Sequence, residues 1–439
     1  MTDPSQATIF APASGQGRAA VCVIRISGPA TRTILETIAA PLPSPRRASL
    51  RHIVDPKSSE ILDQSLVIWM PGPKSFTGED QAEIQIHGGV AVRLAVLRCL
   101  LDLPGCRAAL PGEFTRRAFL NGRMDLTEVE GLADLIDAET EAQRRQALRQ
   151  LEGSLGETVE GWRENLLDAL ALMEASLDFS DEGDLSSVAF EEQTLVLIKK
   201  VRSAVLAQLS SRVGERLREG LTIVLAGAPN AGKSTLLNAL ARRDVAIVSP
   251  VAGTTRDMIE VRLDLGGLPV VLVDTAGLRE STDPVEREGV VRALTRAGSA
   301  DFVLWLVAPG DATDQPPEGR EVIRVATKAD IGMAAIPADY TISAATGEGL
   351  PELLRGLEDR AARAMIDDSA VITRERHRRA MEDIAACLGR AIQVLSDDGL
   401  PELATEEIRL ATRACGVMTG RVDVEDMLDR LFSSFCIGK

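Results

Sequence analysis

The sequence contains few of the residues on which several common kinds of site depend. Its 439 residues include three histidines and six cysteines, and aromatic residues make up 3%. Three histidines are too few for a histidine-rich metal site or for acid–base chemistry built on several imidazoles. The cysteines form no C-x-x-C pair, which argues against a zinc ribbon or a thioredoxin-type site and favours reduced thiols in a reducing compartment.

Positive charge, a leader segment and long apolar runs are also lacking. The chain carries 49 Lys and Arg against 65 Asp and Glu, a formal net charge of −16, whereas proteins that coat nucleic acid are usually basic. The start, MTDPSQATIF, is not a secretory signal, and no stretch approaches the roughly 20 apolar residues of a membrane-spanning helix. We therefore expect a cytosolic protein without a membrane partner, in which any contact with RNA uses a local basic patch or shape.

The length and the pattern of the chain predict more than one domain, because 439 residues exceed one ordinary core. Residues 1–121 combine strand-like runs, such as AAVCVIRISG and QSLVIWMPGP, with the helix-like VAVRLAVLRCLL, which indicates an α+β domain. Residues 122–215 and 366–439 have helical patterns. Residues 216–365 alternate strands and helices, and the apolar runs LTIVLAG, VVLVDTAG, DFVLWLVA and EVIRVATKAD suit a mainly parallel sheet. The simplest organisation is a nucleotide domain inserted between two parts of one helical domain.

Two local patterns support the helical assignment. Thr127 and Glu130 have the spacing of a capping box, in which the hydroxyl and the carboxylate satisfy free amides at a helix start. An apolar stripe at helical spacing indicates the core of a bundle. It consists of Trp162, Leu166, Leu170 and Met173.

A phosphate-binding motif follows the strand-like run LTIVLAG. Residues 227–234, GAPNAGKS, match G-x-x-x-x-G-K-[ST] and open the helix-like STLLNALAR. Glycines let the backbone curl so that its amides face phosphates, and the helix N-terminus adds its positive dipole end. Lys233 can reach the β- and γ-phosphates, and Ser234 can hold Mg²⁺.

Two further elements suit the sensing of a γ-phosphate. Asp274-Thr275-Ala276-Gly277 follows VVLV, so that Asp274 can hold Mg²⁺ through water and the Gly277 amide can meet the γ-phosphate. The intervening loop, residues 253–257 (GTTRD), offers threonine hydroxyls to complete the Mg²⁺ shell. The three elements in this order resemble a GTPase of the translation-factor-related class.

The base-reading element is expected to be Asn-Lys-x-Asp, and here it reads Thr327-Lys328-Ala329-Asp330. Asp330 can accept hydrogen bonds from guanine N1–H and N2–H₂, a donor pair that adenine lacks. Because Thr327 stands where Asn is usual, one contact to the P-loop or the base edge is in question. Ser343-Ala344 resembles the last guanine-contacting loop. The pattern favours GTP, with ATP as the alternative.

Several blocks carry a family resemblance. PNAGKS, AGTTRD and DTAGLR resemble the MnmE, Era and Der group of GTPases. The flanking blocks TIFAPASGQGRAAVCVIRISGP, SFTGEDQAEIQIHGG and PGEFTRRAFLNGRMDLTEVEGLADLIDAETEAQRRQAL resemble the MnmE (TrmE) family, as does the tail FCIGK. The resemblance covers essentially the whole length.

The resemblance implies a fold and a function. The fold is an N-terminal α+β folate-binding-like domain that dimerises, a helical-bundle domain, and an inserted Ras-like P-loop GTPase α/β domain. The function is GTP hydrolysis that serves modification of certain tRNAs at C5 of the wobble uridine, to a carboxymethylaminomethyl-type group. The implied partners are a second copy of the chain, tRNA, and a flavoprotein of the MnmG (GidA) type in a heterotetramer.

The resemblance also implies how hydrolysis proceeds. Leu278 stands where other GTPases have the glutamine that orients water, and an apolar side chain cannot do so. In the family a K⁺ ion at the P-loop replaces an arginine finger, dimerisation of the G domains forms its site, and Glu286 matches the residue that orients water. The K⁺ ligands are expected to be Asn230, Ser249, Val251 and Thr254.

The remaining site residues follow from the motifs and the resemblance together. Catalysis is assigned to Glu286 and Lys233, and Mg²⁺ to Ser234 and Thr255. The residues expected to bind GTP are Asn230, Ala231, Gly232, Lys233, Ser234, Thr235, Ser249, Pro250, Val251, Ala252, Gly253, Thr254, Thr255, Asp274, Thr275, Ala276, Gly277, Thr327, Lys328, Asp330, Ser343 and Ala344. A tetrahydrofolate derivative, in the 5-formyl or methylene form, is expected at Arg25, Glu83, Arg123 and Lys439, although the family more often has Lys where Arg123 stands.

Two other functions remain open from the sequence. A ribosome-assembly GTPase of the Era or Der type would need an RNA-binding module such as a KH domain, and the C-terminal sequence contains no such pattern. A folate-dependent one-carbon transferase with a purely regulatory G domain is the other possibility.

Overall fold

The chain divides into two units, which the computed structural model describes over most of their length. The described residues are 7–15, 17–178, 186–228, 230–243, 245–247, 260–274, 300–311, 316, 321–365, 370–397, 399–422, 428, 431–433, 435 and 438. The first unit combines Met1–Val129 with Thr419–Lys439, and the second is Glu130–Met418. The domain boundaries expected at residues 121/122, 215/216 and 365/366 stay a prediction.

The first unit is built on a sheet in which the described strands run in the order β3-β4-β5-β2-β1-β6. All neighbours are antiparallel except β1 and β6. The strand and helix patterns predicted for residues 1–121 are confirmed in β2, β4 and α2. The elements are β1 (Thr8–Pro12), β2 (Val21–Ser27), α1 (Thr31–Ile38), β3 (Ser49–Val54), β4 (Ile61–Met70), β5 (Gln81–His87), α2 (Val90–Leu101), β6 (Cys106–Ala108) and α3 (Glu113–Leu120).

One face of this sheet forms the core, because side chains alternate along each strand. In β2, Cys22, Ile24 and Ile26 are buried with Ile84 of β5, whereas Arg25 points to the opposite face. The alternation therefore places polar candidate residues on the face away from the core.

The C-terminal residues belong to the first unit. Phe432 and Phe435 are buried, and their ring centroids lie 5.9 Å apart. Gly438 has a φ of +103° and packs so closely on Pro12 that a Cβ would fall 2.1 Å from the Pro12 carbonyl oxygen. Only glycine combines this φ with this approach.

The second unit contains a helical part and a second sheet. Trp162, Leu166 and Met173 are buried with Ile198 and Met381, which confirms the predicted apolar stripe as bundle core. The helices are α4 (Leu126–Asp137), which begins in the first unit, α5 (Glu141–Leu151), α6 (Ser154–Asp178), α7 (Ser186–Leu209), α8 (Val213–Glu219), α9 (Lys233–Ala241), α10 (Leu350–Ala364), α11 (Glu375–Ser396) and α12 (Pro401–Thr419).

In this second sheet the described strands run in the order β12-β11-β10-β7-β9-β8. Neighbouring strands are parallel except β8 and β9. The prediction of a mainly parallel sheet is confirmed, and the four apolar runs form β7, β9, β10 and β11. The strands are β7 (Leu221–Gly227), β8 (Glu260–Leu265), β9 (Leu268–Asp274), β10 (Phe302–Val307), β11 (Glu321–Ala326) and β12 (Tyr340–Thr341). Among the described residues, no helix is long and apolar enough to cross a membrane.

The predicted capping box at Thr127 and Glu130 is wrong by two residues. The helix begins at Leu126, so Asp125 precedes it and accepts from the Glu128 amide at 2.9 Å. Glu128 in turn accepts from the Asp125 amide at 2.7 Å. A carboxylate at 125 thus does the capping that the pattern assigned to a hydroxyl.

Glu130 is instead buried in an ion cluster with α11. Arg376 donates to both of its carboxylate oxygens, and Nε2 of His377 lies 2.8 Å from Oε2. Burial alone would raise the pKa of Glu130, but the bonds from His377 and Arg376 lower it well below its usual range. Burial lowers the pKa of His377. We infer a charged carboxylate that accepts from the Nε2–H of a neutral imidazole.

This burial predicts a loss of stability in acid. In the unfolded chain a histidine takes up a proton near pH 6.5, whereas the folded His377 resists protonation, so the unfolded state binds more protons and stability falls as the pH falls. Below about pH 6.5, His377 should contribute a loss of up to about 1.4 kcal/mol per pH unit. Urea unfolding near pH 7.5 and near pH 5.5 should show a smaller acid loss for His377→Gln than for the wild type.

His52→Gln is the matched control, because His52 is exposed on β3. Its acid loss should equal that of the wild type. An acid loss in His377→Gln as large as that of the wild type would contradict the assignment of a neutral buried imidazole.

Candidate functional site

The phosphate-binding motif lies between β7 and α9. At Gly227, the last residue of β7, φ is +141° and a Cβ would fall 2.4 Å from the carbonyl oxygen of Leu306 in β10. A side chain would therefore separate the two central strands where the loop begins. The loop ends at Gly232, and Lys233 opens α9.

The Lys233 side chain turns back into this loop. It is 9% exposed, and its Nζ donates to the carbonyl oxygens of Gly227 and Ala228, each at 3.0 Å. The ammonium group is therefore positioned over the turn whose amides precede α9. A cation with these amides and a helix N-terminus forms a site for a polyphosphate.

Ser234 and Asp274 lie next to each other. The Ser234 hydroxyl donates to Oδ2 of Asp274 at 2.6 Å, and Asp274, the last residue of β9, is 2% exposed. A hydroxyl and a carboxylate at one point are hard oxygen ligands of the kind that Mg²⁺ prefers. The donor set therefore fits the expected magnesium ion.

Thr327 replaces the usual asparagine and still contacts the P-loop. Its hydroxyl donates to the Ala231 carbonyl at 2.7 Å, and the side chain is 5% exposed. The Thr327 amide donates to the Val307 carbonyl at 2.8 Å, which fixes the loop to the end of β10. Of the two contacts that the sequence leaves in question, the one to the P-loop is thus present, made by a hydroxyl, while the one to the base edge stays a prediction.

The two loops expected to meet the base are joined to each other. The buried Ser343 hydroxyl donates to Oδ1 of Asp330 at 2.6 Å. The Ala329 amide donates to the Ile342 carbonyl at 3.1 Å, and Ala344 follows, half-buried. Asp330 itself is exposed, so its carboxylate is available to a ligand while its orientation is fixed from behind.

For three other predicted residues of this site, the structure gives the exposure or the backbone conformation. Asn230 is exposed with a φ of +65°, Thr235 is exposed in the first turn of α9, and Lys328 has a φ of +56°. The rest lie outside the described residues. These are Ser249, Pro250, Val251, Ala252, Gly253, Thr254, Thr255, Thr275, Ala276, Gly277, Glu286 and Lys439.

Two of the predicted folate residues form a pair in the first unit. Arg25 of β2 lies opposite Glu83 of β5, and its Nη2 donates to Oε1 of Glu83 at 3.0 Å. The Arg25 guanidinium carbon lies 5.5 Å from the centroid of the Phe76 ring and 5.8 Å from that of Phe114. A cation, a carboxylate and two aromatic rings fit a ligand with a flat polar ring and carboxylates.

The third folate residue, Arg123, is exposed close to the same loop. Its Cγ is 3.3 Å from the position of a Cβ on Gly78, two residues after Phe76. The loop is held by Glu79, which accepts from Nη1 of the buried Arg117 at 3.0 and 3.1 Å. Sequence reasoning missed this support, because nothing local connects residues that lie 38 positions apart.

Comparisons with known proteins identify the family of the chain. A family model described as GTP-binding protein TrmE N-terminus matches residues 8–123, and one described as MnmE helical domain matches residues 126–436. A relative from Methylobacterium sp. (strain 4-46), named tRNA modification GTPase MnmE, is 60% identical over 100% of both chains. A relative of the same name from Methylobacterium radiotolerans is 57% identical over 98% of this chain and 99% of its own.

Among solved structures, the G domain of the T. maritima FeoB iron transporter is 26% identical. The match covers 32% of this chain and 98% of that one, and its TM-score of 0.22 is too low to support a structural inference. The family models and the full-length relatives are decisive, and the chain belongs to the MnmE (TrmE) family.

Proposed function

We propose that the chain binds and hydrolyses GTP and that this activity serves tRNA modification. The observation that carries the proposal is a pair of hydrogen bonds that join three nucleotide-binding elements. The Thr327 hydroxyl donates to Ala231 of the P-loop, and the Ser343 hydroxyl donates to Asp330. The relatives that span the whole chain are named tRNA modification GTPases, which supports the same conclusion.

The phosphates are bound by the P-loop. Lys233 has three N–H donors, of which two contact the carbonyl oxygens of Gly227 and Ala228, so that the third can donate to a phosphate oxygen. Ser234 and Asp274, together with Thr255, would hold Mg²⁺, and this ion would neutralise charge on the β- and γ-phosphates. Gly277 follows Asp274 by three residues and would report whether a γ-phosphate is present.

Guanine specificity comes from Asp330. Its carboxylate accepts from guanine N1–H and N2–H₂, while Ser343 fixes its orientation. Adenine offers no such donor pair, so binding ATP would leave the carboxylate without a partner. Lys328 lies along the base with its aliphatic stem.

Hydrolysis rests on Glu286 and K⁺. Glu286 orients the attacking water, and K⁺ bound beside the P-loop would supply positive charge to the transferring phosphoryl group. Asn230 would ligate the ion with the main-chain carbonyls of Ser249, Val251 and Thr254. Two G domains meet across their nucleotides to complete this site, so that the homodimer is the active form.

The first unit provides a folate site. Arg25, Glu83, Arg123 and Lys439 hold a 5-formyl- or methylene-tetrahydrofolate, which supplies a one-carbon unit. The half-buried Arg25–Glu83 pair supports this proposal, because a pterin edge and a carboxylate tail need a carboxylate and cations respectively. In a heterotetramer with a flavoprotein of the MnmG type, this folate would supply the one-carbon unit for the modification at C5 of the wobble uridine of tRNA.

The Thr327 hydroxyl should matter for nucleotide affinity. Thr327→Val keeps the shape of the side chain but leaves the buried Ala231 carbonyl without its donor, which costs about 1–3 kcal/mol. The affinity for GTP and GDP, measured by fluorescence titration, should fall by about fivefold or more. Thr327→Ser is the matched control and should bind as the wild type does; equal affinities for all three proteins would contradict the role of the hydroxyl.

Hydrolysis should depend on Glu286 and on the monovalent cation. Glu286→Ala should reduce the turnover of GTP by at least about tenfold while GTP affinity stays nearly unchanged, because the residue orients water rather than nucleotide. The wild type should hydrolyse GTP much faster in KCl than in NaCl. Unchanged turnover in the variant would remove Glu286 from the reaction, and equal rates in both salts would remove K⁺.

The cellular role can be tested by mass spectrometry of tRNA nucleosides. A deletion strain should lose the wobble-uridine modification, and the wild-type gene should restore it. Lys233→Ala and Arg25→Gln should both fail to restore it, the first without GTP hydrolysis and the second with GTP hydrolysis intact. Normal tRNA nucleosides together with immature ribosomal particles in the deletion strain would instead indicate a ribosome-assembly GTPase.

A further inference from the structure

The negative charge of the chain is unevenly distributed. The first unit, residues 1–129 and 419–439, carries 17 Lys and Arg against 16 Asp and Glu, whereas the whole chain carries 49 against 65. The first unit is therefore close to neutral, and all of the excess acid lies in the second. An RNA that approaches this protein meets the least repulsion at the first unit.

Basic residues gather at one end of the β3 strand. Arg46 and Arg47 precede β3, and Arg51 lies within it. The Arg46 amide donates to the Trp69 carbonyl at 2.7 Å, and the Arg46 side chain donates to the carbonyl of Lys74. The hydrogen bonds thus bring Lys74 to the same place. These four residues, Arg46, Arg47, Arg51 and Lys74, are named the β3 basic surface.

The charges of the β3 basic surface are not neutralised. Arg51 donates to the carbonyl oxygens of Pro41 at 2.7 Å and Leu50 at 2.9 Å, so its partners, like that of Arg46, are uncharged. Among the described residues, none of the four pairs with a carboxylate. The segments 37–54 and 64–78 contain no Asp or Glu at all.

Some neighbouring cations are paired. Arg32 pairs with Glu36 at 2.9 Å, and Lys57 pairs with Asp102 at 2.8 Å. Other described cations, such as Arg93 and Arg98 of α2, also lack a carboxylate partner, so the β3 basic surface differs in holding four such cations together. Unpaired guanidinium groups whose donors are oriented by carbonyls are suited to phosphate oxygens.

We propose that the β3 basic surface binds the phosphate backbone of tRNA. This inference rests on the proposed function, which makes tRNA the substrate, and adds where the substrate is held. Backbone contact suits a surface that offers charge, because phosphates dominate the affinity of proteins for nucleic acid and folded RNA is recognised largely through its backbone.

The structure also permits a plain alternative. Among the described strands β3 lies at the edge of its sheet, and charged side chains on an edge strand prevent it from pairing with another molecule. This alternative gives the arginines no role in RNA binding. Removing the charges therefore weakens RNA binding under the proposal, and promotes self-association under the alternative.

The test measures binding of a fluorescent tRNA transcript to the full-length protein between about 50 and 200 mM salt. The double variant Arg47→Gln with Lys74→Gln removes two charges whose side chains hold no other part of the fold. The dissociation constant should rise about tenfold at low salt, and the slope of log affinity against log salt should fall by about two, one for each lost phosphate contact. GTP hydrolysis should be unchanged.

Lys199→Gln with Lys200→Gln on α7 is the matched control, because both lysines are exposed and adjacent. It removes the same charge and should bind tRNA as the wild type does. Equal loss in both double variants would show that only net charge matters and would overturn the proposal.

Other results would also overturn it. The proposal fails if tRNA binding by the wild-type protein does not depend on salt. It also fails if the Arg47→Gln, Lys74→Gln variant self-associates in light scattering but binds tRNA as the wild type does. Competition by polyglutamate as effective as by RNA would assign the surface to an acidic protein. The proposed function is tested separately, by GTP hydrolysis and by analysis of tRNA nucleosides. If tRNA binds at another surface, the β3 proposal fails but the proposed function is unaffected.

Discussion

The nucleotide site depends on the hydrogen bond between the Thr327 hydroxyl and the Ala231 carbonyl. It joins loops that lie 96 residues apart in the chain, one expected to meet phosphate and the other base. The geometry follows from the sheet: β7 and β11 flank β10 in parallel, so their carboxyl ends meet at one edge. Parallel pairing brings the loops close, and the hydroxyl fixes their separation.

The strands and the phosphate loop are predictable, because each rests on a local signal. A strand buried on both faces has an unbroken apolar sequence, and VVLV of β9 and FVLWLV of β10 have this form. The P-loop combines a strand, glycines and a lysine at fixed spacing. The Thr327 contact is not predictable in this way, since a one-residue departure from a motif does not reveal whether another donor can reach the same acceptor.

The features that sequence alone does not predict depend on residues far apart in the chain. Glu130 has the spacing of a capping carboxylate, but it is buried and paired with Arg376, which lies 246 positions away in the chain. The support of the loop after Phe76 by Arg117 is of the same kind. The folate residues come only from a family resemblance, because the pairing of Arg25 with Glu83 depends on strand register, which a single sequence does not specify.

The position of Gly438 against Pro12 has a consequence for how the protein is made. A ribosome synthesises residue 12 early, yet its neighbour Gly438 in the folded first unit follows 426 residues later. The second unit, which lies between them in the chain, can acquire its core while the first is still incomplete. The core of the first unit is therefore completed only when residues 419–439 join residues 1–129, and until then Pro12 lacks its contact with Gly438.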